Sequence, residues 1–450
     1  MATVVTAPTV RSKSEKIFTH QLPLIVLAAL AIRLVVAYFC YPGLPDADKN
    51  YEQFGWEIGW VARALASGHG FTSPFFPFSG PTALVPPLYP ALLAGVFRLF
   101  GIYSLTSGFV ILSLNSLFSA LTAIPVYFSA NYSLGSRGAK VAAWTWAVYP
   151  FAIYFSAGRV WEYSLTALLF TTCFCIAQRL HQTASPLAWL GFGLLYGVTA
   201  MSNPSVLSML PFLLILALWK VRKSGGRWLL LGAITAAGVL IAVTPWTVRN
   251  YRALGTLSPI RDNYWLEFYA GNFGDTSDPN PPSAHPASNP VEMQKFLSMG
   301  EPAYLAEKHT LAVRYVSHHP LFFAWVSLRR VVYFWSGFWS FSPSYLQREP
   351  FELPNMAFCG SITLLMLPGL LRFWRLNRAA ALPYLVLIAI FPLTYYFSHP
   401  LMDYRQPIEP AILVLAIAGA SPLRRLAPSH SGARFHKWIG AERAHLAVAE

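Results

Sequence analysis

"DADKNYEQFGWEIGWVARALASGHGF" occupies residues 46–71. It follows directly on "LPLIVLAALAIRLVVAYFCY" (22–41), an apolar run long enough to cross a bilayer, since a helical span takes about 20 such residues. The first substantial loop of the chain therefore opens with four carboxylates, Asp46, Asp48, Glu52 and Glu57, and ends in a glycine-framed turn. In a protein of 450 residues that is 55% hydrophobic and 12% charged, acids so placed mark either a solvated loop or chemistry. The position of the other polar residues decides between the two.

Outward from that loop, apolar runs recur at 22–41, 105–131, 139–156, 161–179, 187–202, 204–220, 228–248, 354–374, 381–398 and 407–423. They define an all-α polytopic membrane protein. A formal net charge of +14 would point to nucleic acid in a soluble protein. Here the cations flank apolar runs, as the positive-inside bias demands, which argues against a nucleic-acid partner. With Arg11, Lys13 and Lys16 placing the N-terminus inside, the clusters Arg137/Lys140, Arg179, Lys220/Arg222/Lys223/Arg227, Arg372/Arg375/Arg378 and Arg424/Arg425 all fall on the inner face. The organisation expected is a cytoplasmic segment at 1–21, a membrane domain at 22–423 and a basic cytoplasmic tail at 424–450. The N-terminus has no cleavable signal pattern, so the first run is expected to stay as a span. Cys40, Cys173, Cys175 and Cys359 lie in or beside apolar runs and suggest neither a disulfide framework nor a metal cluster. His285, His309, His318 and His319 lack metal-ligand spacing, and neither metal nor cofactor is expected.

One run resists the pattern. "HHPLFFAWVSLRRVVYFWSGFW" (318–339) is apolar, yet Arg329 and Arg330 stand at its middle, where each would cost about 2.5–3.5 kcal/mol in a span. Counting it would also move every later basic cluster outside. It reads as an interfacial or bundle-packed helix.

The outer face then holds the long loops 42–104 and 249–353 and the turns "AGRVWE" (157–162), "MSNPS" (201–205) and "SHPLMDYRQP" (398–407). The first loop reads as an amphipathic helix from Tyr51 to Ser67, a "GPTA" turn (80–83), and "PPLYPALLAGVFRLFG" (86–101) lying along the membrane. Any one of its acids reads most plainly as a solvated carboxylate. Glu57 is less plain, because Trp56, Ile58, Trp60 and Val61 would surround it with apolar groups and raise its pKa. In "TPWTVRNYRALG" (244–255) a helix is expected to end at Pro245 and Trp246, with Arg249 emerging beside Asn250 and Tyr251. Its planar fork suits a phosphate, and equally a snorkelling interfacial cation. "DYRQPIEP" (403–410) repeats the theme with Tyr404 and Arg405. Glu162 and the intramembrane Arg33 are further outliers, functional or paired with a carboxylate of a neighbouring helix. "GDTSDPNPPSAHPASNP" (274–290) reads as a polar, proline-rich loop over the site.

The ordered set of carboxylate loop, "ARALASGHGF" (62–71), "PTALVPPLYP" (81–90), "PWTVRNY" (245–251) and "YRQPIEP" (404–410) resembles the bacterial GT-C glycosyltransferases related to dolichyl-phosphate-mannose protein mannosyltransferases and to the aminoarabinose transferase of lipid A. The resemblance covers roughly residues 20–425. It implies a GT-C-like bundle of about ten transmembrane helices with a helical first outer loop, in the inner (plasma) membrane. It further implies a polyprenyl-phosphate-sugar donor reached from the membrane lipids, a lipid, glycan or protein acceptor, and inversion at the anomeric carbon. The family's catalytic Asp stands about eight residues before the alanine matching Ala62, a place held here by Phe54. The nearest acids are Glu57 and Asp48, with Asp46 behind them, as candidates for the general base. The candidate substrate-binding residues are Arg249, Arg405, Tyr404, Asn250, Glu162 and Tyr89. The rival reading is a polytopic transporter or lipid-linked sugar flippase. Such proteins often show internal repeats, whereas this chain has one-sided long loops and no recognisable repeat.

Overall fold

The computed structural model describes residues 21–43, 54–75, 78–273, 284–337, 341, 343, 346, 352–399 and 401–420. Its helices are α1 (Gln21–Cys40), α2 (Glu57–Ala66), α3 (Leu88–Phe100), α4 (Leu105–Leu121), α5 (Ala123–Val148), α6 (Pro150–Ala157), α7 (Tyr163–Ala177), α8 (Pro186–Ser202) and α9 (Leu210–Lys223). They continue as α10 (Trp228–Leu254), α11 (Tyr264–Asn272), α12 (Pro290–Met299), α13 (Glu301–His318), α14 (Pro320–Ser336), α15 (Glu352–Leu376), α16 (Arg378–Ile390), α17 (Leu393–Phe397) and α18 (Glu409–Ala420). Among the described residues extended pairing is limited to one antiparallel bridge, Thr72 with Pro81.

Among the described residues, seven helical stretches are long and apolar enough to cross a membrane. One of them, Leu105–Val148, has 44 residues. As a single rod it would be about 66 Å long, twice the roughly 30 Å of a hydrocarbon core. Gly135 breaks it, with φ +73° and ψ −179° inside the α5 segment. Its position, between the expected spans and two residues before Arg137, fits the turn expected between two crossings. Two shorter apolar helices, Pro186–Ser202 and Glu409–Ala420, lie where the sequence places its fifth and tenth runs.

Small residues let the helices approach closely, the usual solution where lipid removes the hydrophobic drive between helices. A Cβ on Gly193 would collide with the Thr235 carbonyl, and one on Gly369 with that of Leu415. Side chains such as Leu240, Ile241, Leu364 and Leu371 remain exposed on the outside of the bundle, as a lipid-facing surface requires.

Three expectations need correction. The helix does not end at Pro245: α10 runs through it to Leu254 and is capped by Gly255 in the left-handed conformation. A proline removes one backbone donor, a loss membrane helices tolerate when neighbouring groups compensate. Arg33 is paired, but not with a carboxylate. It is fully buried and donates to Ser119 Oγ (2.9 Å) and to the carbonyls of Ala29 (3.1 Å), Ala147 (2.7 Å) and Trp146 (3.0 Å). The first-loop helix begins at Glu57 among the described residues, six residues later than Tyr51.

The run at 318–339 packs on the bundle as α14. Arg330 is buried and reaches Asn272 Oδ1 at 2.9 Å and the carbonyls of Gly271 and Phe397. These acceptors answer the desolvation of its charge. The two long loops assigned to the outer face also fold together: Trp60, Phe75 and Leu84 of the first share one apolar cluster with Leu266, Phe296, Tyr304 and Leu305 of the second.

Candidate active site

The site begins with a strained turn. Gly55 has φ +92° and lies so near the Val160 carbonyl that a Cβ would sit 2.7 Å from it. Trp56 follows with φ +48°, an outlying conformation for a bulky side chain. The turn makes Glu57 the first residue of α2, where the helix dipole favours an anion. Ile58 and Val61 turn into one apolar cluster and Trp60 into another, away from the carboxylate. Glu57 Oε1 instead stands 3.2 Å from His285 Nε2, with the two side chains 18% and 12% exposed.

His285 is fixed on three sides. Its Nδ1 accepts the amide of Ala287 at 3.2 Å, and its ring meets Phe75 edge-on at 5.4 Å and 90°. The proton therefore belongs on Nε2, which donates to Glu57. Burial opposes a charged ring, but the bond to Glu57 and the negative fields of Glu57 and Glu267 outweigh it and raise the His285 pKa.

A second carboxylate–imidazole pair stands beside the first. Glu267 of α11 accepts Asn263 Nδ2 at 2.7 Å and lies 3.6 Å from His399 Nε2. The Tyr404 hydroxyl is 3.3 Å from the same His399 nitrogen. Burial lowers the pKa of His399 against the pull of Glu267, and burial raises that of Tyr404. Arg261 joins this group: its Nε donates to the Leu84 carbonyl at 3.1 Å, while Nη2 is 3.9 Å from Glu267 Oε1 and the side chain stays 28% exposed.

Glu162 closes the cluster from the turn before α7. It is buried, and Asn203 Nδ2 approaches its Oε1 at 3.4 Å while Oε2 has no hydrogen-bond partner among the described residues. Burial pushes its pKa up to about 8 although Arg261 pulls the other way. At neutral pH it is mostly a protonated donor rather than an anion.

Asp262 and Glu301 form a separate clamp. Glu301 accepts the Thr82 hydroxyl and the Ala83 amide, both at 2.6 Å, and the Asp262 amide donates to the Ala83 carbonyl at 3.0 Å. Burial raises both carboxyl pKa values, and for Glu301 the charge of Asp262 adds to it. The pair grips the "PTA" turn of the first loop from the second.

The cations named from sequence are engaged with the protein. Arg249 is half-buried and donates to the Thr82 carbonyl (2.6 Å), to Asn250 Oδ1 (3.0 Å) and to the Phe71 carbonyl. Asn250 in turn ties Ser258 and Ile260 through Nδ2. Arg405 pairs with Glu409 and also donates to Thr363 Oγ1 at 2.8 Å. The Tyr89 hydroxyl exchanges hydrogen bonds with Asn115, which also reaches the Arg159 carbonyl. Asp46 and Asp48 lie outside the described residues. Arg261, Asn263, Glu267, His285 and His399 were not singled out for the site from sequence. The dense polar run "RDNYWLE" (261–267), directly after a long apolar helix, was the available signal. Among the described residues no group of three or more His, Cys, Asp or Glu is arranged to hold a metal ion.

Comparison with known proteins agrees with this architecture. Residues 84–248 match the family model of dolichyl-phosphate-mannose-protein mannosyltransferase. No curated protein matches the chain. Among solved structures, the archaeal oligosaccharyltransferase AglB from Archaeoglobus fulgidus, in complex with an inhibitory peptide and a dolichol-phosphate, aligns at 13% identity and TM-score 0.51 over 96% of this chain and 52% of that one. ArnT from Cupriavidus metallidurans, bound to undecaprenyl phosphate, aligns at 16% identity and TM-score 0.38 over 87% of this chain and 78% of that one. The chain spans about half the length of the AglB structure. The likeness is one of fold: an all-α bundle with several helices long and apolar enough to cross a membrane.

Proposed function

We propose that the protein is an integral membrane glycosyltransferase of the cell envelope that moves a sugar from a polyprenyl-phosphate-linked donor to a lipid, glycan or protein acceptor. Transfer takes place on the outer face of the inner (plasma) membrane and inverts the anomeric carbon. The observation that carries this reading is the convergence of Glu57, His285, Arg261, Glu267, His399 and Glu162 from separate outer segments of an apolar bundle. The family match over residues 84–248 supports it.

In this mechanism Glu57 is the general base, with Asp48 and Asp46 as the other first-loop candidates. The acceptor oxygen attacks C1 of the sugar on the face opposite the phosphate, and its proton passes to the carboxylate. The bond from C1 to the phosphate oxygen breaks, and its electron pair leaves with the polyprenyl phosphate. Arg261, partly exposed and held among the described residues by one backbone acceptor and a distant carboxylate, is the cation best placed to receive that charge. Protonated Glu162 and the Tyr404 hydroxyl supply hydrogen bonds to the sugar or phosphate. Arg249, Asn250, Arg405 and Tyr89 hold the walls of the site through the contacts described above. A positioned base contributes about 10²–10⁴-fold.

Reconstitution into proteoliposomes with a radiolabelled polyprenyl-phosphate sugar and a membrane-derived acceptor fraction tests the proposal. Transfer of label to acceptor with release of polyprenyl phosphate supports it. Movement of the intact donor across the bilayer without transfer would favour a flippase, and neither event would remove the donor class.

A further inference from the structure

We propose that His285 is the positioning residue of the first-loop carboxylate: it holds one oxygen of Glu57 by donating from Nε2, and leaves the second oxygen to accept the proton of the attacking hydroxyl. This rests on the reading of Glu57 as the base. The geometry limits what each group can do. His285 Nδ1 is occupied by the amide of Ala287, so the ring offers the site no free lone pair and cannot itself be the base. Its remaining N–H meets Glu57 Oε1 at 3.2 Å. The ring cannot swing away, because Phe75 abuts it edge-on, and Phe75 is fully buried against Trp60 and Phe296. Glu57 follows directly on the Gly55–Trp56 turn, whose positive-φ backbone sets where α2 begins.

The pairing also ties the two outer loops at the point of chemistry. Glu57 belongs to the first loop and His285 to the second, 228 positions later. The other charged groups facing the pair are Glu267 of α11, whose field acts on His285, and His399 beside it. A second proton on His285 would have to go on Nδ1 and would displace the Ala287 amide.

The test compares His285→Leu, His285→Gln and Glu57→Gln in proteoliposomes, reading turnover and donor binding. His285→Leu is expected to lose 10-fold or more in kcat, with donor affinity kept within about 2-fold. His285→Gln carries an amide donor near the place of Nε2 and is expected to recover much of the rate. Wild-type kcat in His285→Leu, with Glu57→Gln inactive, would overturn the role of His285 alone. A fully active Glu57→Gln would instead overturn the assignment of the base. If His285→Leu fails to fold, an unrescued kcat in a folded His285→Gln still contradicts the proposal.

Discussion

Arg405 and Glu409 neutralise each other inside the protein: Nε donates to Oε2 at 2.5 Å, and the side chains are 1% and 0% exposed. Tyr149 adds a hydrogen bond to Glu409 at 2.6 Å. Removing one member of a buried pair strands the other charge and costs about 3–5 kcal/mol. Arg405→Ala is therefore expected to lower the melting temperature sharply and to reduce the yield of folded protein. If Arg405→Ala melted like wild type and lost only donor binding, Arg405 would be a ligand of the phosphate instead.

Arg261 is expected to behave in the opposite way. A charge-assisted hydrogen bond contributes about 1.5–3 kcal/mol, so Arg261→Ala should weaken binding of polyprenyl phosphate about 10- to 150-fold while the fold persists. Arg261→Lys should recover part of the loss, since an ammonium lacks the bidentate fork. Unchanged affinity in a binding titration of Arg261→Ala would remove this residue from the phosphate site.

The Asp262–Glu301 clamp gives a pH dependence with a defined sign. Both carboxyl pKa values are raised in the folded protein, so the native state favours the protonated forms. Their contribution to stability is complete below the ordinary carboxylate range and is lost as pH rises through the elevated folded values. Arg249 and Arg261 moderate the loss by favouring the ionised forms. The melting temperature of wild type should fall relative to that of Glu301→Gln as pH is raised from about 5 to about 9. Parallel curves for the two proteins would rule the clamp out.

Sidedness is open to chemical labelling. Cysteines placed at the exposed positions Ser67 and Ser298 should react with an impermeant reagent from outside, and one at the exposed Ser224 should not. Reaction of Ser67→Cys and Ser224→Cys from the same side would contradict the ten-span arrangement.

The bundle was legible because each crossing writes its own apolar run, and because Arg329 and Arg330 mark 318–339 as something other than an ordinary span. The site was less legible. Arg249 is spent mainly on the carbonyls of Thr82 and Phe71, and backbone acceptors leave no signature in a sequence. Glu57 and His285 meet across two loops, a pairing no local pattern encodes. The partner of Arg405, Glu409, lies four residues on, across the turn between the 3-10 segment Met402–Arg405 and α18. Pro245 does not mark a helix end here, because a membrane helix tolerates a proline where neighbouring groups compensate the lost donor.

The most direct test of the central claim is a single-turnover measurement on sided proteoliposomes carrying a radiolabelled polyprenyl-phosphate sugar, with wild type and Glu57→Gln side by side. Wild type is expected to release one polyprenyl phosphate for each sugar transferred on the outer side, with inverted configuration in the product. Glu57→Gln is expected to bind donor equally well and to transfer about 10²–10⁴-fold more slowly. Equal rates for the two proteins, or consumption of donor with no glycosylated acceptor, would contradict the account.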